Sequence, residues 1–340
     1  MTLLDEVAEQ PAVLAGLIER GGNAAADVAE LLRSSDVHHV VIAARGTSDN
    51  AARYAKYVWG SKAHLPVTLA APSLHSSYGT PPDFGGAAVV GISQSGQSPD
   101  LLAVVEEGRK QGRPTIGITN DPESPLAELS DVVVPLRAGP EHSIAATKTY
   151  TATLMSVAMI ATHLDPSTGA ASLHMVPGAV AGVLETSATI SEHARSFGPV
   201  RDCVVLGRGY QYSTAFEWAL KLQEMAYILA HPFSIADFAH GPFAVLEPKF
   251  PVLAVAVRGA LFDSTVEMLD RIRGERDANL LTVTDEPSLS EPSLVIPPTE
   301  EWLSPIPAIV AGQLFTEALA RVRGIDPEQP RGLQKVTKTT

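Results

Sequence analysis

A single cysteine, Cys203, stands in 340 residues, inside the apolar run DCVVLG. No disulfide can form within the chain, which fits a reducing compartment, and a thiol in such a run reads as core filling. No apolar stretch reaches membrane-spanning length, and the start, MTLLDEVAEQ, lacks the basic flank of a secretory signal. The expected location is therefore cytoplasmic, with no membrane partner. Positive charge is also scarce: Lys plus Arg number 25 against 38 Asp plus Glu, a formal net charge of −13. That balance argues against a nucleic-acid partner, while leaving room for a local site that holds one phosphate. No cluster with metal-ligand spacing is visible, so no metal is expected, and no cofactor.

What is present is an alternation of short apolar runs and helical patterns. Residues Leu3 to Arg20 read as an amphipathic helix ended by Gly21-Gly22, with a second helix to about Arg33. Apolar runs follow at HHVVIAA (38–44), PVTLAA (66–71), AAVVGIS (87–93), PTIGITN (114–120) and DVVVPL (131–136). Helical spacers separate most of them, as in a parallel sheet covered on both faces. After an alanine-rich helical connector the pattern restarts. DCVVLGRGYQYSTAFEWALK (202–221) echoes VVIAARGTSDNAARYAKY (40–57), and PVLAVAV (251–257), ANLLTVTD (278–285) and SLVIPP (293–298) supply further strands. The expected fold is α/β, two doubly wound parallel-sheet domains in tandem. The boundaries are a helical segment at 1–29, a first domain at 30–165, a connector at 166–195, a second domain at 196–325 and a tail at 326–340.

Three strand-to-helix turns carry chemistry-bearing side chains. Arg45-Gly46-Thr47-Ser48 combines a glycine turn with hydroxyls at a helix N-terminus, where free N–H groups and the helix dipole favour an anion. Taken alone, Ser48 reads as an N-cap. Ser93-Gln94-Ser95-Gly96-Gln97-Ser98 places a dense set of neutral donors at a second helix start, poor material for a core. Neither the P-loop pattern nor GxGxxG occurs there, which disfavours a nucleotide loop. The third turn, 138–149, contains Glu141, His142, Ile144 and Ala146; Glu141 and His142 read as capping and packing residues.

Further on, Lys221 and Glu224 lie three apart on a helical pattern and share a face, and His240 follows with Gly241-Pro242. A carboxylate, an ammonium and an imidazole can move protons between carbon and oxygen. The same three residues taken alone also fit a surface ion pair and a satisfied histidine. The two serine-bearing turns favour the chemical reading, because they supply an anchor for a phosphate.

Taken together, RGTS (45–48), ISQSGQS (92–98), AATKT (145–149), GRGYQYSTAFEWALKLQE (207–224), HGP (240–242) and QPRGLQK (329–335) resemble the SIS (sugar isomerase) family. The likeness is nearest to the isomerase half of glutamine–fructose-6-phosphate aminotransferases and to free-standing deaminases and deglycases. It implies two flavodoxin-like SIS domains and a homodimer. It also implies a small-molecule sugar phosphate held by Thr47, Ser48, Ser93, Gln94, Ser95, Ser98 and Ile144. By the same resemblance Glu224 is the base that shuttles a proton between C1 and C2, with Lys221 as its companion. His240 then assists ring opening from the neighbouring subunit, and Lys335 lies in a tail folded over the sugar. Ala146 stands where aminotransferases commonly have serine, which removes one direct hydrogen bond.

Glutamine-dependent synthesis requires an N-terminal cysteine, whereas this sequence starts Met1-Thr2. HPFSIADFAHGP and HSIAATKTYT look more like the free-standing deaminases. The expected activity is conversion of glucosamine 6-phosphate to fructose 6-phosphate and ammonia. The alternatives are another SIS phosphosugar isomerase, an Amadori 6-phosphate deglycase, a glutaminase-less synthase-like protein, or a sugar-phosphate-sensing regulator.

Overall fold

The computed structural model describes residues 2–289 and 292–335. The chain opens with α1 (Leu3–Ala8), started by a reciprocal cap between Thr2 and Asp5, and continues as α2 (Gln10–Ser34). Here the structure corrects the expected stop at Gly21-Gly22, because α2 runs straight through both glycines. A Cβ at Gly21 would sit 3.1 Å from Met159 Cε, so the glycine serves close packing rather than termination.

The first sheet contains β1 (His39–Ala43), β2 (Val67–Leu69), β3 (Ala87–Ile92), β4 (Thr115–Thr119) and β5 (Val132–Pro135). Its order is β2-β1-β3-β4-β5, and every pairing is parallel, with Ile42 beside Leu69 on one side and Val90 on the other. The intervening helices are α3 (Thr47–Lys62), α4 (Ser73–Ser76), α5 (Pro99–Lys110) and α6 (Pro125–Leu129), followed by α7 (Lys148–Leu164). Val41, Val89, Leu101, Val104, Val105 and Leu126 form one core between sheet and helices. α7 is buried along nearly its whole length and takes a hydrogen bond from Trp59 of α3, Nε1 to the Val157 carbonyl at 3.0 Å.

Beyond two short 3₁₀ turns come α8 (Val176–Glu185) and α9 (Ser187–Ser196). The second sheet then forms from β6 (Asp202–Gly207), β7 (Leu229–Ser234), β8 (Pro251–Ala256), β9 (Asn279–Thr284) and β10 (Ser293–Val295). Between them lie α10 (Gln211–Ala226), α11 (Ile235–Phe238) and α12 (Phe262–Arg276), and α13 (Pro305–Val322) closes the regular structure. The order β10-β9-β8-β6-β7 is the first sheet's topology read from the other edge, again all parallel. Both sheets thus have the 2-1-3-4-5 order of flavodoxin-like folds, which opens a crevice where the chain reverses direction across the sheet. Strand β7 is a finding the sequence reading missed. It is an edge strand carrying Pro232, with alternating exposure, so no continuous apolar run marks it.

Contacts divide the chain into two units. One comprises Ala12–Glu141, Lys148–His174 and the chain from Gln334. The other comprises the chain through Pro11, His142–Thr147 and Met175–Leu333. Cys203 lies in β6, 1% exposed, and burial pushes its thiol up to about 12. Among the described residues no helix is long and apolar enough to cross a membrane.

Candidate functional site

In the unit containing the first sheet, the C-terminal ends of β1 and β3 lie at the crevice, and both serine-bearing turns begin there. The β1–α3 turn reverses at Gly46, with φ 53°. Gly46 itself occupies the cap position and Ser48 falls within the first helical turn, which corrects its reading as an N-cap. The β3–α5 turn is fixed from three sides. Gln94 accepts at its carbonyl from the Asn120 N–H and the Thr119 hydroxyl, Ser93 Oγ accepts from the Gly96 N–H at 3.1 Å, and the Gly96 carbonyl accepts from the Leu126 N–H. Gly96 is obligatory: its φ is +61°, and a Cβ there would lie 2.1 Å from Ser124 Oγ.

This anchoring leaves donors available. Ser98 caps α5 by position but makes no capping bond, with Pro99 following it. The side chains of Ser48, Gln94, Ser95 and Ser98 have no hydrogen-bond partner among the described residues. Uncapped helix N–H groups beside unpaired hydroxyls make a neutral cradle for an oxyanion. The two turns are tied together by a pair the sequence reading did not anticipate: Arg45 Nε donates to Asp100 Oδ2 at 2.6 Å. Asp100 is 1% exposed and also accepts from the Leu101 N–H, so its charge is compensated within the turn.

The same unit holds Glu141 and Lys335. The Glu141 carboxylate accepts from the N–H and hydroxyl of Thr149 at the start of α7, at 3.1 and 2.7 Å, and pairs with Lys335 Nζ at 3.0 Å. Of the tail expected to cover a ligand, residues 336–340 lie outside the described residues.

The other unit carries Lys221, Glu224 and His240. α10 follows β6 and is braced from behind by α13, where Gly312 brings a bare backbone to within 3.0 Å of Trp218 when measured from an ideal Cβ. The indole meets Phe315 edge-on at 5.6 Å. On the helix, Lys221 is wholly buried and lies between two carboxylates, 2.5 Å from Glu224 Oε2 and 3.3 Å from Glu217 Oε1. Burial opposes the ammonium charge, but the attraction of Glu217 and Glu224 outweighs it and holds the Lys221 pKa above its ordinary value. Glu217 is 0% exposed, whereas the Glu224 side chain keeps 23% of its surface. Of the three, Glu224 is therefore the group with an open face. Glu217 is the member of this cluster that sequence reasoning missed; its spacing of four to Lys221 is visible in the sequence, but its burial is not.

His240 sits after α11, exposed, its N–H donating to the Asp237 carbonyl at 3.0 Å. It makes no hydrogen bond to Lys221 or Glu224 among the described residues. Ile144 is half-buried in the segment 142–147, which Glu6 of α1 holds by accepting from the N–H groups of His142 and Ser143.

Comparison with known proteins adds a family. The SIS domain model matches residues 34–163 and 199–291, together more than half of the sequence. The chain belongs to the SIS domain family. It is 36% identical to a glutamine–fructose-6-phosphate aminotransferase of Gloeobacter violaceus over 98% of this chain and 58% of that one. The chain spans about half the length of the curated relatives it matches. Among solved structures, the C-terminal domain of the Francisella tularensis glucosamine-fructose-6-phosphate aminotransferase superposes with a TM-score of 0.87. It is 27% identical and covers 96% of this chain and 98% of that one. A candidate phosphosugar isomerase from Silicibacter pomeroyi DSS-3 is 30% identical, with a TM-score of 0.84, covering 96% of this chain and all of the other.

Proposed function

We propose that the chain is a phosphosugar aldose–ketose isomerase that converts glucosamine 6-phosphate to fructose 6-phosphate and ammonia. The observation that carries this reading is the α10 cluster, in which a buried ammonium orients one solvent-facing carboxylate. A binding module would need the serine turns but has no use for a carboxylate so held. Family membership and the relatedness to aminotransferase isomerase domains support the substrate class.

The chemistry follows from the groups available. The neutral turns at Thr47–Ser48 and Ser93–Ser98 would take the phosphate, which suits a protein of net charge −13. His240 would assist opening of the sugar ring, from a second copy of the chain as the family pattern implies. Glu224 removes the C2 proton of the open-chain amino aldose. The C–H electrons form the C1–C2 double bond of an enolamine while the C1 carbonyl π pair moves onto O1, which takes a proton from solvent. Return of that proton to C1 gives a ketose iminium, which becomes the imine by losing an N–H proton to solvent. Water adds at C2 and ammonia leaves. General acid–base help of this kind contributes on the order of 10² to 10⁴ in rate. With no exposed surface, Lys221 acts through Glu224, fixing its rotamer.

One observation favours a second reading, the synthetic direction: the curated relative is an aminotransferase aligned over 98% of this chain. The deciding experiment is a panel of phosphosugars assayed for ammonia and for ketose phosphate. Release of both in equal amounts from glucosamine 6-phosphate is the expected result. Turnover of a different phosphosugar with no ammonia would overturn the deaminase assignment, and formation of glucosamine 6-phosphate alone from fructose 6-phosphate and ammonium would favour synthesis.

A further inference from the structure

α10 ends in an unusual residue. Tyr227, its C-cap, is in the left-handed conformation at φ 53°, ψ 41°, with its N–H closing on the Leu222 carbonyl. That position ordinarily takes glycine or asparagine, because a Cβ is strained there. A tyrosine at such a site suggests that its ring is used outside the helix, and the ring has a partner. The Arg331 N–H donates to Tyr227 Oη at 2.8 Å, and the Arg331 guanidinium lies 4.3 Å over the ring centroid. Two different interactions thus join one tail residue to one cap residue.

The tail has a second anchor just upstream. Glu328 accepts from the Leu3 N–H at 2.7 Å and from Ser143 Oγ at 3.4 Å, so it touches the segment that carries Ile144. Between these anchors and Lys335 the chain forms no helix or strand and turns at Gly332, φ +74°. Glu224 lies three residues before Tyr227 and Lys335 four residues after Arg331.

We propose that Tyr227 is a positioning residue that latches the C-terminal tail, through Arg331, to the last turn of the helix bearing Glu224. The latch makes the placement of the tail depend on the end of α10, and rests for its catalytic meaning on the function proposed above. The Arg331 stack alone would be an ordinary surface contact. The backbone hydrogen bond is what distinguishes it, since it fixes the path of the chain rather than a mobile side chain.

Trypsin provides a readout independent of turnover, because it cleaves after Arg331 and releases the peptide 332–340. In the full chain, Tyr227→Asn removes both contacts and keeps a residue suited to the left-handed cap, while Tyr227→Phe removes only the acceptor. Loss of a hydrogen bond and an exposed cation–π contact should raise the open population, and with it the cleavage rate after Arg331, about tenfold in Tyr227→Asn and about threefold in Tyr227→Phe. Cleavage after the exposed Lys249 should stay unchanged. In turnover, kcat should fall in the same order with KM within about threefold of the parent value. Unchanged cleavage after Arg331 in both variants would overturn the latch, as would equal acceleration at Lys249. Faster tail cleavage with unchanged kcat would overturn the positioning role. A parent enzyme inert toward every phosphosugar would sink the proposed reaction, yet the cleavage pattern would still decide the latch.

Discussion

Lys221 is the residue on which the α10 cluster depends. It is fully buried between Glu217 and Glu224, so its charge is affordable only because two carboxylates flank it. Lys221→Met would leave two acidic groups facing each other, and we expect a loss of about 3–5 kcal/mol in chemical denaturation. The pH dependence has a definite sign. Because the folded-state pKa of Lys221 lies above its ordinary value of 10.5, the stabilisation is complete below about pH 10.5 and is lost as pH rises through the higher folded value. The gap between parent and Lys221→Met, measured by denaturation from pH 7 to 12, should therefore be constant up to about pH 10.5 and narrow above it. A constant gap across that range would contradict the ion-cluster account. The pairing of Lys221 with Glu224 was legible as a spacing of three. That Glu217 completes it was not, because burial belongs to the packing of α10 against α13. Arg45 and Asp100, 55 positions apart, carry no local signal of their pairing at all.

At the scale of elements, the legible strands are those buried on both faces. β1, β3 and β8 read as apolar runs because helices cover them. β7 escaped notice as a half-exposed edge strand interrupted by proline, and Gly21 of α2 misled because it packs against Met159 of α7 rather than ending the helix. The β3–α5 turn shows the same dependence on its surroundings. Its serines were legible as ligand donors, while the fixing of Gly96 against Ser124 and Leu126 is a tertiary fact. Gly96→Ala imposes a left-handed alanine and a clash with Ser124, together about 2–4 kcal/mol. Calorimetric titration with inorganic phosphate should show loss of binding in this variant at a temperature where circular dichroism finds it folded. Retained phosphate affinity would mean that the turn is not the anion cradle.

The whole molecule combines two sheets of one topology that differ in what their turns carry. The first unit offers neutral donors in its turns, and the second a buried charge cluster with one open carboxylate. Duplication of the fold was legible from the repeated strand, Arg-Gly turn and helix, since the same local pattern produces the same βα unit twice. The specialisation of the second copy was legible only through the family motifs, because Arg208-Gly209-Tyr210 and Arg45-Gly46-Thr47 look alike as turns. The central claim is that Glu224 is the proton-transferring base of a glucosamine 6-phosphate deaminase. Its most direct test is ammonia release from glucosamine 6-phosphate by the parent chain and by Glu224→Gln, at matched thermal stability. The account predicts equimolar ammonia and fructose 6-phosphate from the parent, and a rate at least about 100-fold lower in the variant. A variant within threefold of the parent would contradict it.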